Sequence, residues 1–98
     1  MSFDASAAAA ALRTACGRHH DLAAQAEVAL EVLRCVGLVD AAGLRAICHV
    51  LADRADSLAR LHLRAMHLAP GKDERNRYQS QRNSYARTSE QLRAIASP

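Results

Sequence analysis

Residues 36–51 read VGLVDAAGLRAICHVL, and this stretch contains the end of one helix and the start of the next. Gly37 can adopt the left-handed conformation that commonly terminates a helix. Asp40 is a favourable N-cap because its carboxylate can accept a hydrogen bond from an unpaired backbone N–H. A connection this short makes the flanking helices antiparallel. The sequence therefore predicts a long antiparallel helical hairpin over residues 1–69, with helices at about 6–36 and 41–69.

The composition also predicts an all-α fold. Of 98 residues, 22 are Ala and 12 are Leu, which are strong helix formers, whereas only 3% are aromatic. No apolar run approaches the roughly 18–20 residues that a membrane helix needs, so we expect no membrane association. The three cysteines have no disulfide-scaffold or metal-finger spacing, which favours reduced thiols and a cytoplasmic location. The twelve Arg against one Lys, with the excess of Ala, indicate a GC-rich bacterial genome.

The first predicted helix carries apolar or small residues at alternating spacings of three and four, as in a heptad repeat. They are Leu12, Ala15, His19, Leu22, Ala26, Ala29, Leu33 and Val36. Gly17 interrupts this pattern. In a helix interior Gly is less favourable than Ala by roughly 1 kcal/mol. Both a break at Gly17 and a continuous helix fit the sequence, and the unbroken periodicity favours the continuous helix.

The second predicted helix has apolar residues on more of its circumference than one neighbour can cover. Its main stripe comprises Leu44, Ile47, Cys48, Leu51, Ala55, Leu58, His62 and Ala65, while Val50, Leu61, Leu63, Met66 and Leu68 lie outside that stripe. This surplus predicts a homodimer in which two copies form a helical bundle, since most homo-oligomers are closed twofold dimers.

Residues 70–98 form a basic C-terminal helix, which completes a predicted three-helix unit. This segment holds six basic residues and three acids, so it carries the entire net charge of +3. One face carries Tyr78, Gln81, Tyr85, Thr88, Leu92 and Ile95. An isolated helix with so thin a stripe is marginal in water, so it either docks on the hairpin or becomes ordered on binding.

Surplus apolar surface on long amphipathic helices is typical of protein-binding modules. The sequence therefore predicts a small adaptor, chaperone-like protein or regulatory subunit that binds a protein partner. The predicted contact residues are Leu61, Leu63, Met66, Leu68, Tyr78 and Tyr85. There is no glycine-rich phosphate loop and no nucleophile elbow, so we expect neither catalytic activity nor a cofactor.

Nucleic-acid binding is the first alternative. Arg75, Arg82 and Arg93 cluster beside Tyr78 and Tyr85, whose rings could stack on bases. However, the sequence contains no helix-turn-helix signature, and a net charge of +3 is modest for a committed nucleic-acid binder.

Metal binding is the second alternative. An antiparallel hairpin centred on residues 37–40 places His62 level with Ala15, within reach of Cys16 and His19. Together with His20, these residues offer the nitrogen and sulfur ligands that zinc or copper prefers. The competing interpretation is that His19 and His62 form hydrogen bonds at the edge of the core.

Overall fold

The computed structural model describes residues 3–97, which form four α-helices and no β-strand. They are α1 (Ala5–Cys16), α2 (His20–Val36), α3 (Ala41–Leu68) and α4 (Lys72–Ala96). The molecule is elongated, with principal extents of 50 × 26 × 16 Å. The predicted all-α class is confirmed. Among the described helices, none has both the length and the apolar character required to cross a membrane.

The first predicted helix is divided at Gly17–His19, so the preference for a continuous helix was wrong. The N–H of Gly17 donates to the Thr14 carbonyl at 3.3 Å, and His19 then adopts an extended conformation as the N-cap of α2. Apolar periodicity did not reveal the break because Leu12 in α1 and Leu22 in α2 are both fully buried. Residues 3–97 therefore fold as four helices, where the sequence predicted three.

The turn between α2 and α3 follows the sequence prediction. Gly37 has φ of 72° and ψ of 27°, in the left-handed region, and its N–H donates to the Arg34 and Leu33 carbonyls. The Asp40 carboxylate accepts a hydrogen bond from the N–H of Gly43 at 2.8 Å. Glycine is required at position 43, because a Cβ there would collide with the Leu38 carbonyl.

The most extensive helix pairing is between α3 and α4, rather than between the first two predicted segments. Arg93 on α4 forms ion pairs with Asp53 at 3.0 Å and Asp56 at 2.6 Å on α3. Nearer the end of α4, Arg45 Nε donates to the Ala96 carbonyl at 3.1 Å. The C-terminal helix is therefore docked along α3, whereas α2 is too short to cover more than part of α3.

Buried side chains occupy only one half of the α3–α4 pair. The core residues of these two helices include Leu44, Ile47, Cys48, Leu51, Ala52, Ala55, Ala59, Tyr85, Leu92 and Ala96. Between positions 60 and 83, by contrast, Ala69 alone is buried. The 17 residues of α2 span about 26 Å and the 28 residues of α3 about 42 Å. We call residues 60–83, which project from the four-helix core, the distal arm.

Candidate functional site

Two histidines and a tyrosine meet where α2, α3 and α4 converge. The His19 ring stacks on Tyr85 with centroids 3.8 Å apart and an interplanar angle of 15°. The His62 ring is tilted against Tyr85 at 5.2 Å and against Tyr78 at 6.2 Å. His19 and His62, which the hairpin register placed near one another, therefore contact the same tyrosine ring.

Hydrogen bonds fix this cluster to three helices. His19 Nε2 and Ser84 Oγ are 3.1 Å apart, and the Tyr85 hydroxyl donates to Asp21 at 3.4 Å. His62 Nδ1 lies 2.8 Å from the Leu58 carbonyl, which can only accept, so this nitrogen carries the proton. The sequence interpretation missed Ser84 and Asp21, although Ser84 directly precedes Tyr85 and Asp21 lies two residues after His19.

The environment shifts the pKa values of two members of this cluster, His19 and Tyr85. Burial lowers the pKa of His19 below its ordinary value, although the hydrogen bond with Ser84 and the charge of Asp21 act in the opposite direction. Burial and the nearby Asp21 carboxylate raise the pKa of Tyr85. His19 is only 6% exposed and Tyr85 only 8%. The cluster is therefore a packing unit that joins the α1–α2 break to the α3–α4 pair.

The proposed metal ligands Cys16, His19, His20 and His62 do not form a ligand set. Within residues 3–97, no three His, Cys, Asp or Glu side chains come together in a way that could hold a metal ion. Burial, with a smaller contribution from Cys48, raises the pKa of the Cys16 thiol to about 11. Zinc binds thiolate, and burial of Cys16 disfavours this charged form in the metal-free protein.

The proposed nucleic-acid residues are partly used within the chain. Arg93 is held by its two aspartates, and Arg75 donates to the Ala69 and Pro70 carbonyls at 3.3 and 3.2 Å. Tyr85 is covered by His19 and is not available to stack on a base. Within residues 3–97, the Arg82 guanidinium donates its only hydrogen bond to the neighbouring Asn83 Oδ1 at 3.1 Å. Tyr78 is half-buried.

The proposed protein-contact residues fall mainly on the distal arm. Leu61 is 54% exposed and Leu68 is 81% exposed, whereas Leu63, Met66 and Tyr78 are half-buried. Tyr85 belongs to the core and is not part of this surface. The arm contains six basic residues and two acids, a net charge of +4. A shallow depression of about 500 Å³ lies between Leu61 and Leu63 and is bordered by Arg60, Arg64 and His67.

A second apolar surface, which the sequence interpretation missed, lies between α2 and α3. It is an open groove of about 610 Å³ whose apolar lining includes Ala29, Leu33, Leu38, Ile47, Val50 and Leu51. Beside it, Val28, Val32 and Val36 are 65%, 55% and 60% exposed. These valines recur every four residues along α2, and this spacing was the available signal for an exposed ridge.

Comparison with known proteins gives no match for this chain. No protein-family model matches it, and neither a curated protein nor a solved structure does so.

Proposed function

We propose that this protein is a small cytoplasmic protein-binding module without catalytic activity, and that the distal arm is its binding surface. The observation that carries the proposal is the exposure of Leu61 and Leu68 on an arm in which Ala69 alone is buried between positions 60 and 83. Two of the side chains considered above for chemistry, His19 and Cys16, are buried in the core instead. This arrangement supports recognition rather than catalysis.

The apolar part of the arm fits an amphipathic helix as partner. Leu61 and Leu68 are seven residues apart, so they lie on the same face of α3 and about 10 Å apart along its axis. An apolar stripe with helical spacing on a partner helix would bury both leucines. Exposed apolar patches bordered by polar residues commonly mark such contacts.

The positive charge of the arm favours a partner of negative charge. Arg60 and Arg64 are exposed beside the two leucines, and the arm as a whole carries a net charge of +4. Opposite charge accelerates encounter and excludes partners of like charge. The proposed partner is therefore an acidic amphipathic helix.

A synthetic peptide tests this proposal. The probe is a glutamate-rich helical peptide with a leucine stripe, compared with a peptide of the same composition in which the stripe is scrambled. We expect the striped peptide to bind in a titration followed by fluorescence anisotropy and the scrambled peptide to bind much more weakly. Replacing both Leu61 and Leu68 by Gln should abolish binding, whereas the control pair Val28→Gln and Val32→Gln, equally exposed on α2, should retain it. Equal binding of the two peptides, or equal loss in the two variants, contradicts the proposal.

Nucleic acid is a second candidate ligand because the arm concentrates positive charge, with Arg82 and Tyr78 on its α4 side. A single-stranded oligonucleotide titrated at low salt, where the electrostatic contribution is largest, distinguishes it. Binding that is lost in Arg64→Glu but unchanged when the two leucines become Gln would support this candidate. Such a result would contradict the proposed recognition of a helix.

A further inference from the structure

One face of α3 carries a complete heptad pattern that α2 and α4 leave largely uncovered, with Ile47 as its one buried member. Its members alternate at spacings of four and three along the whole helix: Gly43, Ile47, Val50, Arg54, Ser57, Leu61, Arg64 and Leu68. We call these eight residues the α3 seam. The first half of the seam forms one wall of the α2–α3 groove, and the second half is the exposed leucine face of the distal arm.

We propose that the α3 seam binds the α3 seam of a second copy in an antiparallel, twofold-symmetric dimer, in which each distal arm covers the other copy's α2–α3 groove. This inference rests on the proposed use of the distal arm as a binding surface and names its partner as a second copy of this chain.

The spacing of the seam supports this arrangement because the alternation of four and three residues is the same counted from either end of α3. An antiparallel copy centred between Arg54 and Ser57 places Val50 opposite Leu61 and Gly43 opposite Leu68. Each pair combines a smaller residue with a leucine, as interlocking helices require. The exposed leucines of each arm therefore meet the apolar groove of the other copy.

The polar seam positions are compatible with the same register. Arg54 lies opposite Ser57 beside the twofold axis, where the serine hydroxyl can accept a hydrogen bond from the guanidinium. Arg64 lies opposite Ile47, so its aliphatic stem can cover apolar surface while its charged end reaches solvent.

The distribution of charge also favours a second copy whose distal arm lies against the α2–α3 groove of the first. The distal arm has a net charge of +4, whereas residues 20–40, which contain α2 and the following turn, hold four acids and one arginine and have a net charge of −3. In the proposed register, the basic arm of one copy lies beside the acidic α2 and turn of the other. Two arms placed against each other would instead combine two charges of like sign.

The exposed area is consistent with a missing neighbour. A compact monomer of 10.6 kDa is expected to expose about 5500 Å², but this chain exposes 6351 Å². A standard interface removes about 800 Å² from each partner, which is close to this excess.

Cross-linking tests the register directly. In a background with the exposed Cys35 replaced by Ser, Val50→Cys and Leu61→Cys introduced together should give a covalent dimer on mild oxidation. These positions are about 16 Å apart within one helix, and in the dimer each is also about 16 Å from its own counterpart. A disulfide needs Cα atoms within roughly 7 Å. Each variant with one of the two introduced cysteines is therefore a matched control that should remain uncross-linked.

Sedimentation of the unmodified full chain provides the second measurement. We expect twice the 10.6 kDa monomer mass, and at least about a tenfold weaker dimer when Leu61 and Leu68 become Gln, with helical content unchanged by circular dichroism. A monomer at micromolar concentration overturns the dimer, and cross-linking in a control with one introduced cysteine overturns the antiparallel register. A monomer that still binds the striped acidic peptide would overturn this inference and leave the proposed function standing.

Discussion

Thr88 offers a sharp test of the core because its hydroxyl is buried without a partner. The residue is fully buried on α4, and Thr88 Oγ1 forms no hydrogen bond with any of residues 3–97. Thr88→Val keeps the shape of the side chain and replaces the hydroxyl by a methyl group. Since Thr and Val have similar helix propensities, the change removes mainly the cost of burying an unpaired hydroxyl.

That cost is about 1–3 kcal/mol in proteins, so Thr88→Val should increase the free energy of unfolding by about that amount. For a domain of this size, each kcal/mol raises the Tm by roughly 4–8 °C. The measurement is thermal and urea unfolding followed by circular dichroism, at one fixed protein concentration because the proposed dimer would make the Tm concentration-dependent.

Two control variants separate the hydroxyl from the methyl group. Thr88→Ser keeps the hydroxyl and removes the methyl group, so it should destabilise by about 1 kcal/mol. Thr14→Val changes an exposed threonine whose hydroxyl donates to the Ala10 carbonyl, and it should stay within about 0.5 kcal/mol of the wild type. A Thr88→Val protein less stable than the wild type would refute the reasoning, because it would mean that the hydroxyl has a favourable interaction.

Three further outcomes are expected. Because the pKa of His19 is lowered from its ordinary value of 6.5, the unfolded chain takes up a proton before the folded chain as the pH falls. Stability should therefore decrease below pH 6.5, and His19→Gln should flatten that part of a urea-denaturation profile measured from pH 7.5 to 5. Gly43→Ala should destabilise by about 1–3 kcal/mol in chemical denaturation because of its collision with the Leu38 carbonyl, whereas Gly71→Ala, where a Cβ meets nothing within 4 Å, should be tolerated. Arg93→Ala should lower the Tm and reduce its salt dependence, since its two ion pairs with α3 are partly exposed; a Tm with unaltered salt sensitivity would argue against a role for those pairs.

Local chemistry explains which helix boundaries could be predicted. The left-handed Gly37 and the Asp40 cap act within a few residues, so the sequence identified that turn correctly. The break at Gly17 is accompanied instead by the stacking of His19 on Tyr85, which lies 66 positions later in the chain. Helical periodicity within α1 and α2 contains no information about that distant contact.

The docking of α4 was underestimated for a different reason. Its apolar stripe is thin, but the facing part of α3 presents Ala52, Ala55 and Ala59, all buried. Small residues permit close approach, so packing can be extensive with few large side chains. Ion pairs from Arg93 add a second contact that a count of apolar residues does not detect.

The candidate contact surface was only partly accessible to sequence reasoning. Leu61 and Leu68 fall outside the main stripe of α3, a pattern that fits both a partner surface and burial by the C-terminal helix, and in the structure both leucines are exposed. Tyr78 and Tyr85 occupy equivalent positions on one stripe of α4, so the sequence treated them alike. The four-helix core ends between the two tyrosines. Tyr85 is therefore buried, whereas Tyr78 is half-exposed.

The uneven burial along α3 and α4 has a consequence for local stability. Backbone amides protected by buried side chains exchange with solvent only through cooperative opening, whereas those in a poorly packed region exchange through local fluctuations. Residues 60–83 should therefore exchange hydrogen for deuterium faster than residues 44–59, although each segment contains part of the same continuous helix α3. One helix thus contains two regions of different opening free energy, and binding to the distal arm would be detected as slowed exchange at residues 60–83.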